Sequence, residues 1–131
     1  MIFLSIPITA WVFCGSIKFA LNAFRYGSEA MERIGHGGFP SNHTAIISSL
    51  VWSLSLVGEW RMAGLALAVL MTHIFDATGL RREIGRHAEA INQLTAKKLR
   101  EIIGHKPADI AGGLVVGLIV AAGYWWFGVL D

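Results

Sequence analysis

Between residues 2 and 24 the chain carries a single charged side chain, Lys18. Three more apolar stretches follow, at 41–57, 62–78 and 107–130. In a bilayer every backbone N–H and C=O must find a partner without water, and a single segment achieves that only as a helix. Hydrophobic residues make up 54% of the 131 residues and charged residues 15%, with a mean hydropathy of +0.55. That balance belongs to a membrane protein rather than a soluble domain. The expected fold is an all-α integral membrane bundle of four transmembrane helices plus one amphipathic interfacial helix. The length suits a single domain over residues 1–131. No basic region precedes Ile2, so the first stretch reads as a retained helix and not a cleaved signal peptide.

The charge pattern narrows the function. A net charge of +2 without basic runs gives no footprint for nucleic acid. Cys14, the single cysteine, lies inside an apolar segment and reads as a buried thiol. Cysteine and histidine spacings do not match a metal site.

The polar residues gather between the apolar stretches. Lys18 and Arg25 are seven positions apart, two helical turns, and project from one face. They read either as cations snorkelling to an interface or as a two-pronged clamp for a phosphate or carboxylate. Residues 26–39 form a polar loop with Glu29, Glu32, Arg33 and His36, and glycines at 27, 35, 37 and 38 mark its turns. The loop ends in Gly37-Gly38-Phe39-Pro40-Ser41-Asn42-His43-Thr44. Ser41 is a good N-cap, which places His43 in a first helical turn beside unpaired backbone N–H groups. A helix N-terminus carrying a histidine is an anion site with a proton donor. His73 and Asp76 sit one turn apart near the end of the third stretch. They read as an internal hydrogen bond or as secondary site candidates.

Residues 80–103 differ from the rest. Leu80, Ile84, Ala88, Ile91 and Leu94 recur at helical spacing, while Arg81, Arg82, Glu83, Arg86, Glu89, Lys97 and Lys98 occupy other faces. This predicts an amphipathic helix on the membrane surface, with a break near Asn92 and an end at Gly104. In His105-Lys106-Pro107-Ala108-Asp109, Pro107 suits the first helical position. His105 then precedes the helix and Asp109 lies in its first turn. Gly113 and Gly117 suit close helix packing, and Tyr124, Trp125, Trp126 and Phe127 an interfacial aromatic belt.

Four spans put the ends of the first and third and the starts of the second and fourth on one side. All Lys and Arg residues except Arg61 fall there, and the positive-inside rule makes that side cytoplasmic. Lys18, Arg25, His43, His105 and Asp109 therefore share one membrane face. Two histidines, two cations and a carboxylate suit phosphoryl transfer. The cations neutralise phosphate, one imidazole attacks phosphorus, and the other protonates the leaving oxygen. A carboxylate beside the attacking ring fixes its tautomer. Residue chemistry alone does not decide which histidine attacks.

This arrangement resembles the type 2 phosphatidic acid phosphatase family, related to vanadium haloperoxidases, whose motifs are Lys-x6-Arg-Pro, Pro-Ser-Gly-His and Ser-Arg-x5-His-x3-Asp. Here they read Lys18-x6-Arg25, Pro40-Ser41-Asn42-His43 and His105-x3-Asp109. It is more similar to a short divergent branch with Gly-Gly-Met-Pro-Ser-Ser-His, Asp-x-x-Gly-x-Arg-Arg and Gly-His-x-Pro, matched by Gly37 to His43, Asp76 to Arg82 and Gly104 to Pro107. Tyr26 replaces the motif proline and Asn42 the motif glycine. Leu99 stands where the third-motif arginine belongs. Arg100 is one residue late, turned by roughly 100° on a helix, so Arg81, Arg82, Arg86 or Arg100 is left to supply that cation. The resemblance implies His105 as nucleophile through a phosphohistidine, Asp109 as its partner and His43 as general acid. It implies Lys18, Arg25, Ser41 and Asn42 around the phosphate, and a mechanism without metal or other cofactor.

The expected activity is hydrolysis of a lipid phosphomonoester or pyrophosphate, such as an isoprenoid phosphate or a phosphatidylglycerophosphate-like lipid. The expected site is the cytoplasmic face of the cell membrane. The expected partners are the lipid phosphate and membrane lipids, and self-association between copies is compatible with the sequence. A small transporter would need an ionisable group in mid-span, and only His73 and Asp76, near one end, approach that. A non-catalytic scaffold retaining these residues is the other alternative. Haloperoxidation would reuse the same residues but suits a membrane-buried site poorly.

Overall fold

The computed structural model describes residues 2–30, 38–96 and 98–130, without the side chain of Glu29. Glu32, Arg33, Gly35, His36, Gly37 and Lys97 lie outside the described residues. The elements are α1 (Ile2–Tyr26), a 3₁₀ turn (Gly27–Ala30), α2 (Asn42–Leu56), α3 (Trp60–Thr78), α4 (Leu80–Leu94) and α5 (Pro107–Trp126). Among the described residues, three helical stretches are long and apolar enough to cross a membrane: Ile2–Tyr26, Trp60–Leu94 and Pro107–Trp126. The second of these joins α3 to α4 across a break at Gly79. α2 has 15 residues; at about 1.5 Å per residue it spans roughly 22 Å, short of a hydrocarbon core of about 30 Å. α1 runs unbroken through Pro7.

α2 is the centre of the bundle and packs against α1, α3 and α5. Small residues allow this. Thr44, Ala45, Ser48, Ser49 and Ser53 are all fully buried. Ser49 Oγ returns its hydrogen to Ile46 O at 2.7 Å, and Ser48 Oγ lies 3.4 Å from both Ala45 O and Gly113 O. A hydroxyl on a helix satisfied this way can face a neighbour in an apolar interior. On the opposing surface a Cβ at Gly113 would stand 2.6 Å from Ser41 O. One at Gly117 would collide with Ser48 Oγ and stand 2.8 Å from Ser49 N. The two backbones touch because neither side carries bulk, which is the close packing expected of Gly113 and Gly117. Apolar contacts from α1 complete the core: Cys14 meets Ala45 and Val116, and Ile6 and Ala10 meet Val120 and Leu130. Outward, Leu4, Ile8, Trp11, Leu65 and Phe75 are well exposed, an apolar exterior fit for lipid.

The 80–103 expectation is met in its helix and in the break near Asn92, and needs correction beyond that break, where no helix resumes among the described residues. The helix ends at Leu94, well before residue 103. Asn92 is the cause. Its amide exchanges two hydrogen bonds with Leu99, Nδ2 to O at 2.8 Å and N to Oδ1 at 2.7 Å, and also donates to Glu101 Oε1 at 2.7 Å. The chain therefore turns and runs back along α4. Gly85 gives it room: a Cβ there would reach Glu101 O at 2.5 Å. Gly85 and Ala88 are buried, whereas Leu80, Ile84, Ile91 and Leu94 stay exposed.

Candidate active site

The return segment carries the chain from Leu94 back to the start of α4. Gly104, at φ +91°, sits against Ala77 O and Arg82 N, where a Cβ would stand 2.8 Å and 3.1 Å away. His105 N donates to Ala77 O at 3.1 Å, pinning this histidine to the end of α3. Pro107 opens α5 at its first position, and Asp109 Oδ2 caps that end by accepting from Lys106 N at 2.9 Å. Ser41 caps α2, accepting from Thr44 N at 3.4 Å and Thr44 Oγ1 at 2.9 Å. Its own N–H donates to Asp109 O at 2.9 Å. The N-termini of α2 and α5 therefore abut, and both aim partial positive charge at the same place.

His105 and Asp109 are nearly buried, each side chain 11% exposed, with His105 Nδ1 3.6 Å from Asp109 Oδ2. That is an ion-pair separation, longer than a formed hydrogen bond. Burial pushes the His105 imidazolium below the usual histidine value, Lys18 and His43 act in the same direction, and Asp109 opposes them. His105 is thereby held toward its neutral form. Lys18, 6% exposed, points into the bundle from α1. His43, exposed on α2, lies against His73 of α3 with ring centroids 5.2 Å apart. Asp76, also on α3, pairs with Arg81 Nε of α4. Asn42 sits beside Gly15 of α1, and its Oδ1 is buried without a hydrogen-bond partner among the described residues.

Among the described residues, the side chains whose charges act on His43 and His105 are Lys18, Arg81 and Asp109, together with His43 acting on His105. Arg25 is not one of them. It is exposed in the last turn of α1, two turns beyond Lys18, so a shared helical face does not give a shared depth. Of the arginines expected to replace the third-motif cation, Arg81 faces the histidines. Arg82 is exposed, and Arg86 is exposed and pairs with Glu83. Arg100 acts on Lys18 and donates from Nε to Ile102 O at 3.3 Å. Asn92 was not among the sequence candidates, yet it sets the path that returns His105. Its polar side chain next to the break was the available signal. Among the described residues no group of three or more His, Cys, Asp or Glu side chains is placed to hold a metal ion.

A family model described as the Divergent PAP2 family matches residues 2–120, nearly the whole chain. The chain belongs to the divergent PAP2 family. It is 29% identical over 107 residues to a Bacillus subtilis protein named "Uncharacterized membrane protein YuiD". The match covers 64% of this chain and 68% of the relative. No solved structure matches. Membership in the divergent PAP2 family and the long apolar helices agree on an integral membrane protein related to phosphatases.

Proposed function

We propose that the protein is a membrane phosphatase that hydrolyses a lipid phosphomonoester or pyrophosphate through a phosphohistidine at His105. The observation that supports this most is the abutment of two helix N-termini, joined by the hydrogen bond from Ser41 N to Asp109 O, with a histidine at each. Phosphate binds where those N-termini converge, and Lys18 and Arg81 add charge to it. A ring nitrogen of His105 forms a bond to phosphorus while the bond from phosphorus to the leaving oxygen breaks. His43, protonated, gives its proton to that oxygen. Asp109 holds the imidazolium that develops at His105. Water then attacks the phosphohistidine, losing a proton to His43, and inorganic phosphate leaves. The assignment of nucleophile and acid follows the family resemblance. The Lys and Arg bias supports a site open to the cytoplasm, and the exposed apolar surface around it suits a substrate with an apolar tail.

The test is phosphate release from a panel of lipid phosphates by the purified protein in detergent with chelator present. Release that disappears in His105→Ala, together with inhibition by orthovanadate as a five-coordinate analogue, is expected. Release that persists undiminished in the His43→Ala, His105→Ala double variant would remove the proposal.

A further inference from the structure

In the mechanism above His105 has Asp109 to orient it, while nothing is yet assigned to orient His43. His73 stands where such a group belongs. The two rings are tilted by 35° with centroids 5.2 Å apart. That separation is close to two ring radii plus one hydrogen bond of about 2.9 Å. His73 Nε2 is buried and has no hydrogen-bond partner among the described residues. A buried nitrogen without a partner costs about 1–3 kcal/mol of lost solvation. His43 is exposed, so its ring is able to turn.

We propose that His73 is a positioning residue for His43: its Nε2 accepts a hydrogen bond from one ring nitrogen of His43, so that the other nitrogen faces the leaving oxygen. This rests on the phosphatase proposal. His43 keeps the N–H directed at His73 through both steps. The proton it gives to the leaving oxygen, and later takes from water, moves on its other nitrogen alone. A neutral partner suits a general acid better than a carboxylate, because a carboxylate would hold the proton that must be released.

The experiment measures imidazole ¹⁵N shifts in histidine-labelled protein in detergent, above the titration range, with His43 assigned from its loss in His43→Gln. Wild type should show one His43 tautomer, His73→Phe a mixture, and His73→Gln, which offers an acceptor oxygen, the single tautomer again. The kinetic counterpart is a fall of about 10-fold or more in kcat for an alkyl phosphate in His73→Phe. KM, and the first-turnover burst of nitrophenol, which leaves without a proton, should stay near wild type. An unchanged tautomer ratio in both variants overturns the assignment, as does a nitrophenol burst slowed as much as the alkyl phosphate. A wild-type protein that releases no phosphate from any substrate defeats the phosphatase proposal, and the tautomer measurement still decides the placement of His73.

Discussion

The Asp109 carboxylate caps Lys106 N and faces the ring of His105. Substitution separates these. Asn at 109 keeps an oxygen for the cap but lacks the charge, so Asp109→Asn should retain its thermal midpoint and lose about 10²–10⁴-fold in kcat. Asp109→Ala should also lose the cap, lowering stability by about 1 kcal/mol. The pH profile follows from the same contacts. His105 must be neutral to attack, and burial lowers its pKa from the usual value. The acid limb of kcat/KM should therefore fall below about pH 6.5, the ordinary histidine value. Removing Asp109 removes the group that favours the charged ring, so the limb in Asp109→Asn should move to still lower pH. A limb that moves upward instead would show that His105 is not the group being titrated.

The packing of α2 on α5 decides whether His43 and His105 share a site at all. Gly117→Val should fail there, because its side chain would occupy the space of Ser48 Oγ and the Ser49 backbone. Overpacking of this kind costs about 1–3 kcal/mol, and the displacement should also lower phosphate release. Gly123→Ala is the control: a Cβ there meets nothing within 4 Å, and the detergent melting midpoint should hold. Equal midpoints for the two variants would mean that the helices tolerate separation. At this scale the sequence was readable wherever a signal is local. Pro40-Ser41 and Pro107 mark helix starts by backbone chemistry alone, and both starts are found as expected. The break near Asn92 was readable, but the return path beyond it was not, because it depends on hydrogen bonds between Asn92 and residues past the turn. Likewise, spacing placed Lys18 and Arg25 on one face, but only the packed bundle separates a buried cation from an exposed one. The approach of His73 to His43 depends on how α3 leans on α2, which no periodicity encodes.

For the molecule as a whole the open quantity is its direction in the membrane. With Cys14 replaced by Ser, single cysteines at Ser28 and Glu59 report the two faces. Both positions are exposed, and Glu59 avoids the left-handed backbone of Gly58 at φ +78°. Impermeant reagent added outside whole cells should label position 59 and spare position 28; the converse would place the site outside. The central position of α2 bears on how the protein is made. A helix of 15 residues containing Asn42, His43, Thr44 and four serines is a poor stop for a translocating chain, since polar groups raise the cost of entering lipid. α3, 19 residues long and apolar, supplies what α2 lacks. Glycosylation mapping in microsomes should accordingly find α2 alone passing through into the lumen, and the α2–α3 hairpin retained as a pair. Biogenesis would then proceed by hairpins, with the helix that carries His43 entering the bilayer only under the cover of its neighbour.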